Sequence, residues 1–114
     1  MTDLSTEDKK LVTLARATRA RIQAAEGAAV RDTDGRTYAA ATVDLPSLQL
    51  SAVQAVVAAA VSSGSTGVEA CVVLGDAGEL IEPDAAALRD FAGPSGVTVH
   101  VGDARGAIGE TRTA

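Results

Sequence analysis

Apolar residues recur near the start of the chain at spacings of three and four, which is typical of a helix with one apolar face. Six residues share this spacing: Leu11, Leu14, Ala15, Thr18, Ile22 and Ala25. Ser5, followed three residues later by Asp8, has the pattern of a capping box. The sequence therefore predicts an amphipathic helix that begins just after Ser5.

Two β-strands and a second helix are predicted next. The segment from Gly27 to Val43 favours a hairpin, because Asp34-Gly35 supplies the positive φ angles of a tight turn. Asp44, with Pro46 shortly after it, is predicted to cap the second helix. That helix is expected to end at Gly64.

The rest of the chain predicts a strand, a short helix and a last strand. Val68–Asp76 is almost continuously apolar, as expected for a strand covered on both faces. Pro83–Gly93 begins with proline and acids and predicts a helix, and Val97–Asp103 alternates like a strand. From about Ala104 no period is visible, so a poorly ordered tail is expected.

This order of elements predicts an α/β fold with three layers. A strand–helix–strand connection is right-handed and places helices over a sheet. The expected architecture is a mixed sheet with helices on both faces. Residues 1–114 are predicted to form one domain, near the common domain size.

The stretch Ser47–Gly64 has no charged residue. A helix that is apolar all round is buried on several sides or spans a membrane. A crossing needs roughly 20 apolar residues, and this segment is shorter and interrupted by Ser and Gln. We therefore expect one side on the sheet and the other on a second copy of the chain, in a homodimer or homotetramer.

Composition narrows the possible partners and compartments. The only aromatic residues are Tyr38 and Phe91, so small side chains build the core and an oligomer interface would add apolar burial. A net charge of −5 and few aromatics argue against nucleic-acid binding. The single cysteine, Cys71, excludes an intrachain disulfide, and no apolar signal segment follows Met1, so the cytoplasm is expected.

Two segments of the chain have a distinctive order of residues: GAAVRDTDGRTYAAATVD, Gly27 to Asp44, and AVSSG, Ala60 to Gly64. They resemble motifs of the zinc-dependent cytidine deaminase family. That family has a V-G-A-A strand, a D-G turn, a strand leading to N-V-E, and a helix with Cys-Ala-Glu that ends near A-V-S-x-G. The resemblance covers roughly Leu11 to Phe91 and implies a cytidine-deaminase-like fold.

The matching positions of this chain lack the residues that the family's zinc chemistry requires. Family members bind zinc through a His or Cys and two Cys, and a Glu moves the proton. The Cys-Ala-Glu positions fall on Ser51, Ala52 and Val53, and the P-C-x-x-C phrase falls on Pro83, Asp84 and the alanines that follow. With Cys71 and His100 as the only thiol and imidazole, no register supplies three such ligands. We expect no metal and no catalytic residue.

The resemblance also implies a nucleoside pocket. The family's N-V-E phrase, which reads the ribose, corresponds here to Thr42, Val43 and Asp44. A residual sugar site at Thr42 and Asp44 is one interpretation, and a simple helix cap at Asp44 is the other.

Three further features have structural and functional interpretations. His100 is expected to be a structural or edge histidine, and Cys71 an inert core thiol. Asp76 and Asp103 each follow a predicted strand, where ligands bind in open α/β sheets, but Gly-Asp is also ordinary turn chemistry.

Three functional hypotheses follow. The first is a catalytically inactive, cytidine-deaminase-like homo-oligomer with a structural, regulatory or partner-binding role. The second is a divergent nucleoside deaminase, a hydrolase. The third is a non-catalytic nucleoside-binding module.

Overall fold

The computed structural model describes residues 4–114, which form three helices and seven strands within that range. The helices are α1 Thr6–Ile22, α2 Ala52–Ser62 and α3 Glu82–Asp90. The strands are β1 Glu26–Asp32, β2 Thr37–Ala41, β3 Val43–Leu45, β4 Leu48–Leu50, β5 Val68–Gly75, β6 Thr98–Gly102 and β7 Ile108–Thr113.

Five strands form the central sheet in the order β2-β1-β5-β6-β7. The β5–β6 pair is parallel and encloses α3 as its crossover, and the other pairs are antiparallel. Strands β3 and β4 pair with each other in a small separate hairpin. The predicted mixed sheet is confirmed.

The core lies on both faces of the sheet, which confirms the three-layer prediction. On one face, Leu11 and Ala15 of α1 pack on small and branched residues of β1 and β5. On the other face, α2 and α3 pack on β1, β5 and β6. Strand β5 contributes buried side chains to both clusters, in agreement with its continuous apolar sequence.

Helix α1 begins just after Ser5, as predicted, but ends earlier than predicted. It ends at Ile22, and Gln23 takes a left-handed conformation with φ 53°, so Ala25 lies outside the helix and Ile22 is exposed. At its start Ser5 Oγ accepts a hydrogen bond from Asp8 N at 3.1 Å. The Asp8 carboxylate does not return this bond, because it binds Arg31 and His100 instead.

The uncharged stretch is not a single helix, and Asp44 does not cap one. Residues 43–50 form the β3–β4 hairpin, and α2 begins after Ser51. Ser51 and Gln54 form a complete capping box, which provides hydrogen-bond partners for backbone N–H groups at the start of α2. Asp44 lies seven residues before Ser51, outside this helix start.

The expectation of a poorly ordered tail is wrong for residues 108–113. These residues form β7, which pairs with β6 as an edge of the sheet. Its burial pattern shows one half-buried residue followed by five exposed ones, so its sequence carries little hydrophobic signal. In the part of the chain that the structure describes, none of the helices has the length and apolar content that a membrane crossing requires.

Candidate functional site

A cavity of about 510 Å³ lies where the first turns of α2 and α3 meet β1 and the β3–β4 hairpin. Short elements therefore bring together side chains that are far apart in the sequence. The lining residues that carry polar side chains are Glu26, Thr42, Asp44, Gln49, Ser51, Gln54 and Asp84.

Ser51 stands at the centre of this arrangement. Its hydroxyl accepts a hydrogen bond from Gln54 N at 3.0 Å, and its own N–H donates to the Gln54 side chain at 3.0 Å. The hydroxyl proton goes to Asp84 Oδ1 at 2.6 Å. One side chain thus caps α2 and binds α3 at the same time.

Asp84 is a nearly buried carboxyl group, with 1% of its surface exposed. Burial raises the pKa of Asp84 above its usual range, and the hydrogen bond from Ser51 opposes that rise only in part. Within residues 4–114 no lysine, arginine or histidine forms an ion pair with it. Burial without a basic partner therefore disfavours the charged form of this carboxyl group relative to its state in water.

Glu26, at the start of β1, is the second carboxyl group of the cavity. Burial raises the pKa of Glu26, and the nearby charge of Asp84 raises it further. A hydrogen bond from the backbone N–H of Ala52 opposes this shift. The cavity thus holds two carboxyl groups with a raised pKa, and the charge of Asp84 contributes to the shift at Glu26.

The residues predicted for nucleoside recognition do line this cavity. Thr42 Oγ1 accepts a hydrogen bond from Glu26 N at 3.0 Å, so its hydroxyl is already engaged. Asp44 is exposed on β3, with Gln49 Nε2 at 3.4 Å from its Oδ1. Asp44 is thus the freer of the two groups for a ligand.

Ser51 lines the cavity, but Val53 does not point into it. Val53 is fully buried in the core between α2 and the sheet. The position that carries the proton-moving Glu in the resembled family is therefore an apolar packing position in this chain.

The donors present do not fit a zinc ion. Ser51 and Asp84 hydrogen-bond to each other, and a neutral hydroxyl is a poor zinc ligand. Over residues 4–114, no three His, Cys, Asp or Glu side chains cluster as a metal site. His100 lies on the α1 side of the sheet, where it contacts Asp8, so it cannot reach this cavity.

Sequence reasoning did not single out Glu26 and Gln54 as cavity residues. Gln54 could have been found from the S-x-x-Q spacing after Ser51. Glu26 had no local signal, since its place in the cavity depends on the pairing of β1 with β2 and the packing of α2 across them.

The remaining candidates have structural roles. His100 is buried between Asp8 Oδ2 and Thr111 Oγ1, each at 2.8 Å from a ring nitrogen, and Arg31 binds the other oxygen of Asp8 at 2.9 Å. Cys71 is fully buried, and burial with the charge of Asp84 raises the pKa of its thiol to about 12.

The two strand-end aspartates do not form a shared site. Asp103 Oδ1 accepts turn hydrogen bonds from Arg105 N and Ala107 N, at 2.9 and 3.0 Å. Asp76 is exposed, and its nearest cation is Arg19 at 3.9 Å. Asp103 therefore follows the turn interpretation.

Comparison with known proteins agrees with the fold. A sequence model of the family described as cytidine deaminase-like matches residues 4–106. The chain therefore belongs to the cytidine deaminase-like family. No curated protein sequence matches it.

Solved cytidine deaminases share the fold at low sequence identity. The Burkholderia pseudomallei enzyme is 17% identical with a TM-score of 0.80, over 96% of this chain and 93% of that one. The Mycobacterium leprae enzyme is 20% identical with a TM-score of 0.72, over 96% and 94%. The Mycobacterium tuberculosis enzyme is 23% identical with a TM-score of 0.70, over 83% and 85%.

The raised pKa of Asp84 predicts a pH-dependent effect of Asp84→Asn. A carboxyl whose pKa is higher in the folded chain stabilises the fold at low pH, and this contribution is lost as the pH rises through the unfolded and then the folded pKa. The amide removes the charge and can still accept from Ser51. We expect the variant to have a higher melting temperature than the native chain at pH 7. This difference in melting temperature should disappear at about pH 4.

Thermal melts of both proteins across this pH range check the prediction. Asp44→Asn, which removes an exposed carboxyl from the same cavity, is the control. A native chain that stays more stable than Asp84→Asn at every pH would contradict it.

Proposed function

We propose that this chain is a catalytically inactive member of the cytidine deaminase-like family. The observation that carries the proposal is the 2.6 Å hydrogen bond between Ser51 and Asp84, at the positions where the family's motifs place metal ligands. Hydrolytic deamination needs a metal-activated water and a residue that moves protons. Neither Ser51 nor buried Val53 provides those functions.

We further propose that the protein acts as a cytoplasmic homo-oligomer with a structural, regulatory or partner-binding role. Helix α2 supports this, because its sheet-facing residues are buried while its outer side is also uncharged. Ala58 and Val61 are exposed there, and 51% of the Val61 surface is accessible. A second copy of the chain, packed through the segment Ser47–Gly64, would cover this side.

Two other functions remain as candidates. A divergent nucleoside deaminase is favoured by the similarity of the fold to solved cytidine deaminases. A non-catalytic nucleoside-binding module is favoured by the cavity itself, which holds both Thr42 and Asp44 in its wall.

Incubation with cytidine distinguishes the three functions. We expect no uridine by chromatography, because the chain lacks the residues for turnover. We also expect no change in melting temperature. If cytidine raised the melting temperature without turnover, and Asp44→Ala abolished that rise, nucleoside binding would become the favoured function. Uridine formation that a zinc chelator abolishes would contradict the proposal and restore the deaminase.

The proposed assembly predicts that Val61→Asp lowers the oligomer mass. A carboxylate placed in an apolar interface loses its hydration without a partner, which disfavours association. Because Val61 is exposed in the single chain, we expect the variant to remain folded. Light scattering after gel filtration gives the mass, and circular dichroism checks the fold.

Ile22→Asp is the matched control, since Ile22 is a similarly exposed apolar residue on α1, on the opposite face of the sheet. We expect its mass to equal that of the native chain. An unchanged mass for Val61→Asp would rule out this side of α2 as the interface.

A further inference from the structure

The two positions that hold metal ligands in the family's motifs still meet in this chain. Ser51 is the N-cap of α2, and Asp84 lies in the first turn of α3, 33 residues later. Zinc–ligand bonds are about 2.0–2.3 Å long, so a tetrahedral metal holds its ligand atoms roughly 3–4 Å apart. A direct hydrogen bond of 2.6 Å brings the same two helix ends together without an ion between them.

The third family position is also in place, although it carries no donor atom. Ala87 lies three residues after Asp84 in α3, so the two share a helix face. Ala86 lies between them in sequence and points elsewhere around the helix. Two of the three family positions are therefore joined by a hydrogen bond, and the third is an alanine about one turn further along the same face of α3.

The hydrogen bond fixes the start of α3, which has no side-chain cap of its own. The N-cap residue is Ile81, and no side chain accepts from the first N–H groups of that helix. Behind this point α2 and α3 pack on each other and share one core cluster. Without a link at their first turns, packing alone would set the distance between the two helices.

We infer that the Ser51–Asp84 hydrogen bond has taken the place of the zinc ion as the link between α2 and α3, on a backbone that keeps the geometry of the metal site. This inference rests on the proposed loss of metal chemistry. It implies that the native chain folds and keeps its cavity without metal. It also implies that the site returns when three thiolates are restored.

The first test is the coupling between the two residues. Ser51→Ala removes both a cap and the link, so we expect its melting temperature to fall on the order of 10 °C. Ser5→Ala is the matched control, because Ser5 only caps α1, and a fall of about 5 °C is expected. After Asp84→Ala, the further loss from Ser51→Ala should shrink to about that of Ser5→Ala.

The second test restores the ligands. The triple variant Ser51→Cys, Asp84→Cys, Ala87→Cys is expected to bind close to one zinc per chain and to melt at a lower temperature after chelation. The control carries Ala86→Cys in place of Ala87→Cys, with the same number of thiols on a different helix face. We expect this control to bind zinc at least about 10-fold more weakly, since only two ligands converge.

The outcomes separate the inference from the proposed function. Additive effects of Ser51→Ala and Asp84→Ala, or a triple variant that binds zinc no better than its control, would overturn the inference and leave the inactive-member proposal standing. Zinc bound to the native chain would overturn both. Coupled stability with zinc binding restored in the triple variant alone is the result that we expect.

Discussion

The cavity depends on the hydroxyl group of one residue, Ser51. This hydroxyl accepts a hydrogen bond from the N–H of Gln54 in the first turn of α2. It donates a hydrogen bond to the buried carboxyl of Asp84 in the first turn of α3. A buried acid without a basic partner is tolerable only when it is protonated or hydrogen-bonded. The serine therefore stabilises the acid, and the acid holds the second helix against the first.

Much of the fold follows from local signals in the sequence. The hairpin β1–β2 was predictable from Asp34-Gly35, because the turn needs a positive φ, and Gly35 has φ 87°. Strand β5 was predictable because it is covered on both faces and is apolar at nearly every position. The alternation predicted for Val97–Asp103 agrees with β6, in which Val99 and Val101 belong to one core cluster and His100 faces the other side of the sheet.

The parts that were missed depend on pairing between distant segments. Strand β7 is an exposed edge, so its residues show no apolar period, and it exists because β6 offers it hydrogen bonds. Strand β4 was missed because it lies inside the uncharged run Ser47–Gly64, which also suits a helix, and β3 lies just before that run. The sequence showed only that Asp84 stands where the family's motif has a cysteine. An acid after a proline is ordinary at a helix start, so nothing in the sequence indicated that Asp84 is buried, and its burial arises from packing.

The chain combines the fold of the cytidine deaminase-like family with different residues at the positions of the family's motifs. The chain keeps the architecture of solved cytidine deaminases at 17–23% identity, while the positions of the family's motif carry a hydroxyl, a valine and a carboxyl. The most direct test of this account is the zinc content of the untagged native protein, purified without added metal and measured by plasma mass spectrometry. The account predicts a content near zero per chain. A content near one zinc per chain would contradict it.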